Sequence, residues 1–293
     1  MDGSALLLTN KLSIASTDQT KPIRIVQISD THLFEDPNDR LLQMNTEDSF
    51  QAVIALIKKE QPLNPIAEQT STDPLLSLMI ATGDIAQTPS AITYARFVES
   101  MNTFAQPCVW LQGNHDLSHL LHETALPQAN TNLIELGEQW LIIMLNSSND
   151  HEIEGRFSAD EFNWLREQLN HYPTRHIIVA LHHNPLKIHS HWLDQSGLSN
   201  TDEFWDIIDH APHVKAVVHG HIHQVFEAIH GSVKVWSCPS TCIQFKPHSD
   251  TFAVDDLAPG YRWFDLYADG QINSGVSRID EMPEGIDLKS QGY

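Results

Sequence analysis

The stretch IRIVQISDTH, residues 23–32, decides the reading of this chain. Its opening run, IRIVQIS, is β-branched and apolar, which is the composition of a strand buried on both faces. Asp30 and His32 follow where such a strand must end. The pattern recurs. LMIAT (78–82) leads into Gly83-Asp84, and CVWLQ (108–112) into Gly113-Asn114-His115-Asp116. IIVAL (177–181) leads into His182-His183, and KAVVHG (215–220) into His221-Ile222-His223. In open α/β sheets, ligands bind in the crevice beyond the carboxyl ends of the strands. Five strand ends delivering Asp, Asn or His to one edge therefore imply one shared site.

Helical patterns separate these strands. Asn45 or Thr46 is placed to cap a helix running to about Gln61, with Phe50, Val53, Ile54 and Ile57 on one face and Pro62 ending it. Tyr94, Phe97, Val98 and Met101 mark a second helix. Ser158 with Glu161 is a capping-box signature for a third, which carries Phe162, Leu165 and Leu169. Thr201 is expected to cap a short fourth helix with Phe204, Ile207 and Ile208 inward. Further strands are expected at 140–146, 214–218, 225–230, 233–237, 262–267 and 271–279. Strand and helix alternate over the first two-thirds, and the last third is strand-rich. One α/β domain over 22–279, with two sheets between helices, fits this order. An irregular arm (1–21) would precede it and an irregular tail (280–293) would follow. Gln61 to Pro74 reads as a long, proline-bearing loop.

The 293 residues carry 17 Lys plus Arg against 38 Asp plus Glu, a formal net charge of -21. Such a chain repels a phosphate backbone, so nucleic acid is an unsuitable partner. A small phosphoester remains compatible, because bound cations set the local field of a site. No apolar stretch is long enough to cross a membrane, and the first residues lack the basic and apolar regions of a secretory signal, so a cytoplasmic location is expected. The three cysteines, Cys108, Cys238 and Cys242, read as reduced structural thiols rather than a disulfide or zinc-thiolate set. No heptad seam indicates an oligomeric state. No nucleophilic-serine elbow or phosphate-binding loop motif occurs.

The donors at the strand ends are Asp30, His32, Asp84, Asn114, His182, His221 and His223. Oxygen and imidazole donors without thiolate suit Mn, Fe, Zn, Co or Ni better than Ca. Seven side chains exceed what one four-coordinate ion needs, whereas one shared carboxylate gives two sets of four. Two cations about 3.5–4 Å apart clamp the attacking and leaving oxygens of a phosphoryl displacement and supply hydroxide near neutral pH.

Together and in this order, Asp30-Thr-His32, Gly83-Asp84, Gly113-Asn114-His115-Asp116, His182-His183 and Gly220-His221-Ile222-His223 resemble the calcineurin-like metallophosphoesterase superfamily. Trp192-Leu-Asp-Gln195, Pro239-Ser-Thr-Cys242 with Gln244-Phe-Lys-Pro247, Ala258-Pro-Gly260 before Arg262-Trp263, and Gly292-Tyr293 are similar to the bacterial class III 3′,5′-cyclic-AMP phosphodiesterases. The resemblance implies a four-layer α-β-β-α sandwich with two mixed sheets flanked by helices. It implies two divalent metal ions, Fe2+ or Mn2+. One would be held by Asp30, His32, Asp84 and His223, the other by Asp84, Asn114, His182 and His221. His115 would act on the leaving oxygen, and His32, Asp84, Asn114, His115 and His223 would line the phosphate. The implied reaction is in-line attack of a metal-bridging hydroxide on 3′,5′-cyclic AMP to give 5′-AMP. The alternative is a broad metal-dependent phosphodiesterase or phosphatase acting on other nucleotides or small phosphodiesters. A non-catalytic module on the same fold would lack ligands, and here all seven are present.

The remaining histidines divide by context. His119, His122, His171, His176, His210, His213 and His230 read as ordinary core or surface residues. His219, which precedes the Gly220 motif, reads as a strand residue. His183 reads as a support for a ligand, and His189 and His191 lie in a loop that could overhang the site.

Overall fold

The structure, a computed structural model, describes residues 9–16, 20–61, 75–124, 131–150 and 152–292. Strand β1 (Lys11–Ile14) is followed by β2 (Ile23–Ile28), a short ribbon of β3 (Arg40–Leu41) and β4 (Met44–Asn45), and helix α1 (Thr46–Glu60). Next come β5 (Leu76–Thr82), α2 (Ala91–Met101), β6 (Cys108–Leu111), α3 (Ser118–Thr124), β7 (Leu133–Leu136) and β8 (Trp140–Met144). The chain continues through α4 (Ala159–His171), β9 (His176–Ala180), α5 (Thr201–Asp209) and β10 (Val214–His219). It closes with β11 (Glu227–His230), β12 (Val233–Ser237), β13 (Gly260–Leu266) and β14 (Ile272–Arg278).

Two mixed sheets result. The seven-stranded sheet has the order β1-β7-β8-β9-β10-β12-β11, and the five-stranded sheet has the order β14-β13-β2-β5-β6. Continuous apolar strands explain the stacking, because both faces must be covered. In β2, Ile25 faces the other sheet, in one apolar layer with Ile134, Ile142, Ile178 and Val218. Val26 and Ile28 face outward, onto Phe50, Val53 and Ile57 of α1 and Phe97 of α2. In β10, Ala216 and Val218 belong to the layer between the sheets, while Val217 belongs to the outer core with Phe162 and Leu165 of α4 and Phe204 of α5. The architecture is the expected four-layer α-β-β-α sandwich.

Local signals explain several ends. Asn45 caps α1, accepting from the Asp48 N–H at 2.9 Å, and Ser158 caps α4 through the Glu161 N–H at 3.1 Å. Two expectations need correction. The arm was expected to be irregular, yet Lys11–Ile14 pairs in parallel with β7, so tertiary pairing orders a stretch whose own sequence is polar. Thr201 is the first helical residue of α5, not its cap. Asn200 takes the cap position, and its side chain bonds the Phe157 backbone instead of the helix. Most of the 61–74 loop, residues 1–8 and 17–19, the His122 side chain and Tyr293 lie outside the described residues.

Candidate metal centre

The structure brings all seven predicted donors to the carboxyl edge of the sheets. Asp30 and His32 follow β2, Asp84 follows β5, Asn114 follows β6, His182 follows β9, and His221 and His223 follow β10. The turns carrying them are bent hard. Asp30, His32, Asp84, His221 and His223 all have positive φ, between 46° and 69°. Non-glycine residues rarely adopt this left-handed conformation, and such strain persists where surrounding structure imposes it for a function. Close approach explains the glycines. A Cβ at Gly113 would strike the Asp84 backbone and carboxylate, and one at Gly220 would strike Ser29 and the Asp30 carboxylate.

Hydrogen bonds fix the protonation pattern of the four imidazoles. His32 donates from Nδ1 to Gln87 Oε1 (2.7 Å), His182 from Nδ1 to the Thr82 carbonyl (2.7 Å), and His223 from Nδ1 to the Ile243 carbonyl (3.0 Å). Ser196 spends its hydroxyl proton on the Leu193 carbonyl, so it accepts from His221 Nε2 at 3.1 Å. Each ring therefore turns a bare lone pair inward, at Nε2 of His32, His182 and His223 and at Nδ1 of His221. His32 Nε2 and His223 Nε2 stand 3.0 Å apart with no proton to share. His182 Nε2 and His221 Nδ1 both approach Asn114 Oδ1, at 3.1 and 3.0 Å, again acceptor against acceptor. A positive charge in the cluster, a metal ion or a proton on His182, reconciles these contacts.

Two groups of donors share one carboxylate. The ligand atoms of Asp30, His32, Asp84 and His223 lie within 4.8 Å of one another, and all four residues are buried. Asp84 Oδ2 lies 3.6 Å from His32 Nε2 and 3.3 Å from His182 Nε2, so it faces both groups. Its other oxygen accepts from the His115 N–H at 2.8 Å. The Asp30 carboxylate accepts from the His221 N–H at 3.0 Å and lies 3.5 Å from His223 Nε2. Two nitrogens bound at a right angle to one ion, each at about 2.1 Å, stand about 3 Å apart, so the donor set fits divalent first-row ions.

The electrostatics agree. Burial raises the Asp30 carboxyl to about 7, with Asp84 adding to the shift. Burial lowers His32 to about 4 and His221 to about 3, keeping both neutral. Burial alone would lower His182 too, but the Asp84 carboxylate lifts it to about 9. The bare cluster thus recruits a proton where a metal would supply the charge.

Sequence reasoning left the supporting residues without roles. Asp116, buried, accepts from Gly113 N–H (2.9 Å), Ile85 N–H (3.1 Å), Ala86 N–H (3.0 Å) and the Tyr94 hydroxyl (3.1 Å), tying the Asn114 turn to the Asp84 turn. Its place in the Gly113-Asn-His-Asp block was the available signal. Gln87 and Ser196 had none. His182, His183 and His221 place ring nitrogens within 4.8 Å of one another, and hydrogen bonds distinguish the two neighbours. His183 engages Ser147 Oγ at 2.8 Å and the Ile153 carbonyl at 3.1 Å, so both its ring nitrogens are committed. His219 ends β10 with Nδ1 on the Gly220 carbonyl. Because His221 and His223 turn left-handed, they do not continue its strand face. His115 lies half-buried beside His32, with ring centroids 4.8 Å apart. His191 meets Gln195 at 3.0 Å, while His189 lies near His248. Cys108, Cys238 and Cys242 are buried free thiols, and burial pushes Cys108 and Cys242 up to about 12.

A layered α-β-β-α frame with two donor groups about one carboxylate defines a class. The chain belongs to the calcineurin-like phosphoesterase family, whose pattern matches residues 23–225. Within it, the chain is 38% identical to the 3′,5′-cyclic adenosine monophosphate phosphodiesterase CpdA of Escherichia coli K12, covering 92% of this chain and 95% of that one. It is 34% identical to CpdA of Pseudomonas aeruginosa, with the same coverage. It is also 34% identical to the 3′,5′-cyclic-nucleotide phosphodiesterase alr5338 of Nostoc, over 88% of this chain and 93% of that one. A dimetal phosphatase from Danio rerio shares the fold, with TM-score 0.57, 12% identity, and coverage of 89% of this chain and 100% of that one. The chain is a metallophosphoesterase related to the CpdA phosphodiesterases. No helix among the described residues is long and apolar enough to cross a membrane.

Proposed function

We propose that this protein is a two-metal phosphodiesterase that hydrolyses 3′,5′-cyclic AMP to 5′-AMP. The observation that carries the reading is the set of inward lone pairs, above all His32 Nε2 facing His223 Nε2 at 3.0 Å. Asp30, His32, Asp84 and His223 hold one ion, and Asp84, Asn114, His182 and His221 hold the other, with Fe2+ or Mn2+ as the expected occupants. When bound, two such ions neutralise phosphoryl oxygens and supply hydroxide near neutral pH.

The protein's own residues do the rest. Burial of Asp30, His32 and His223 excludes water around the first ion's seat. The Asp84 carboxylate is oriented by the His115 N–H, which ties the shared donor to the loop carrying the candidate acid. His115 stands beside His32 and lines the adjoining cavity, where it can protonate the departing 3′-oxygen. General-acid catalysis of this kind contributes about 10²–10⁴-fold. His32, Asp84, Asn114, His115 and His223 line the phosphate. The CpdA relatives support the substrate, and the net charge of -21 argues against polynucleotides. A cytoplasmic location suits a small-molecule cyclic nucleotide.

Purified protein loaded with Mn or Fe is assayed against cyclic AMP, cyclic GMP, 2′,3′-cyclic AMP and bis(p-nitrophenyl) phosphate. Cyclic AMP is expected to have the highest kcat/KM. Much faster turnover of the generic diester would overturn the reading in favour of a broad phosphodiesterase.

A further inference from the structure

A cavity of about 770 Å³ opens beside the second donor group, bordered by Asn114, His115, Trp192, Gln195, Phe252 and Glu152. Its volume lies in the usual range for a small-molecule site. Among the described residues no lysine or arginine lines it, so these offer nothing to a second phosphate group. What it offers is an aromatic wall and hydrogen-bond acceptors. Trp192 is held edge-on by Phe245 (5.0 Å) and Phe252 (5.2 Å). Gln195 donates from Nε2 to His191 Nε2 at 3.0 Å, which leaves its carbonyl oxygen as an acceptor. The Glu152 carboxylate adds acceptors at the rim. The same short stretch carries Ser196, which holds His221.

We propose that this cavity seats the nucleobase of the substrate. The base stacks on the Trp192–Phe252 wall, and its exocyclic amine donates to Gln195 Oε1 or Glu152. The inference rests on the phosphodiesterase reading for the position of the phosphate. It adds the part of the substrate that the metals do not see. A flat heterocycle with an amino group satisfies both the wall and the acceptors, whereas a second phosphate would meet the Glu152 carboxylate with no lysine or arginine among the described lining residues.

The test measures inhibition constants for 5′-AMP and for base-free ribose 5-phosphate on the Mn-loaded enzyme, with bis(p-nitrophenyl) phosphate as reporter. Trp192→Ala is expected to weaken 5′-AMP by about 5–100-fold, the loss of one base–aromatic stack. Ribose 5-phosphate should stay within about twofold, and reporter kcat and metal content should stay near wild type. Trp192→Phe keeps a ring and should restore most of the 5′-AMP affinity. Phe252→Ala gives the same split if Trp192→Ala does not fold. Gln195→Ala should weaken 5′-AMP more than purine riboside 5′-phosphate, which lacks the amine. Equal weakening of 5′-AMP and ribose 5-phosphate, or unchanged 5′-AMP binding, would overturn the base seat. Selective 5′-AMP binding without cyclic-AMP turnover would instead sink the substrate reading and leave the base seat standing.

Discussion

Asp30, His32 and His223 are walled in, at 0%, 0% and 1% exposure, whereas in the other half His182 is equally buried but His221 is 6% exposed and Asn114 borders an open cavity. Each half of the candidate site offers two imidazoles and the shared Asp84; the closed half adds the Asp30 carboxylate, the open half the Asn114 amide, and the two differ in what backs them. Behind the closed half, the Phe245 ring stacks on His223 at 4.2 Å and 11°, and Gln87 and the Ile243 carbonyl hold the two imidazoles. In the open half, the Ser196 hydroxyl and the His183 ring back His221, and the Thr82 carbonyl holds His182. Structural metal sites are closed and catalytic sites keep an accessible position. On the two-metal reading proposed above, the closed half would hold its ion the longer, and the open half would exchange its ion first.

The largest effect should come from the residue common to both halves. Asp84→Ala is expected to lower kcat/KM by at least on the order of 10³-fold and to empty both seats. Metal analysis retaining one full equivalent would show that Asp84 is not shared. The halves should also separate under graded chelation, with two steps of metal loss and the open half emptying first. His221→Ala should abolish only the faster step and His223→Ala only the slower. Each should cost more activity than the ~10–100-fold of a supporting residue, while the protein stays folded. Release in a single step from the wild type would break the comparison.

A smaller effect should follow from the groups that orient the rings. Ser196→Ala is expected to weaken the fast-leaving metal by about 10–100-fold and spare the other. Gln87→Ala should do the reverse through His32, since its amide oxygen holds Nδ1 at 2.7 Å. If either variant shifts both metals equally, the halves are one coupled unit.

Much of this was legible in the sequence. Apolar runs ending in Asp, Asn or His named the donors and placed them on one edge, because buried strands and metal ligands are both compositional signals. Strand β1 was illegible, since KLSI in a polar stretch becomes a strand only by pairing with Leu133–Leu136. The hydrogen bonds that distinguish His182 from His183 run to partners such as Thr82, Ser147 and Ile153, which lie 30–100 residues away in sequence. The left-handed turns at five donors were hidden for the same reason. Neither aspartate nor histidine announces positive φ, and only the neighbouring Gly83, Gly113 and Gly220 hinted at crowding.

The smallest effect on turnover, none, should come from a buried carboxyl outside the site, and it isolates what a cation does for Asp30. Burial raises both Asp30 and Glu161 to about 7. Asp30 has a seat for a metal beside it. Glu161 has only the Asn146 N–H, and its Oε2 has no hydrogen-bond partner. Its folded pKa thus lies above the ordinary 4.5, so the folded state holds more protons than the unfolded chain between about 4.5 and 7. Stability from this group is present below that window and is lost as pH rises through it. Glu161→Gln keeps an acceptor for Asn146 and removes the charge. Relative to this variant, the wild type should lose about 1–3 kcal/mol of unfolding free energy between pH 5 and 8. Denaturant unfolding of both proteins across that range measures the difference. Parallel curves would mean that Glu161 is solvated in the folded state. Divergent curves with unchanged kcat/KM would show that a buried acid on this fold is a liability wherever no cation meets it.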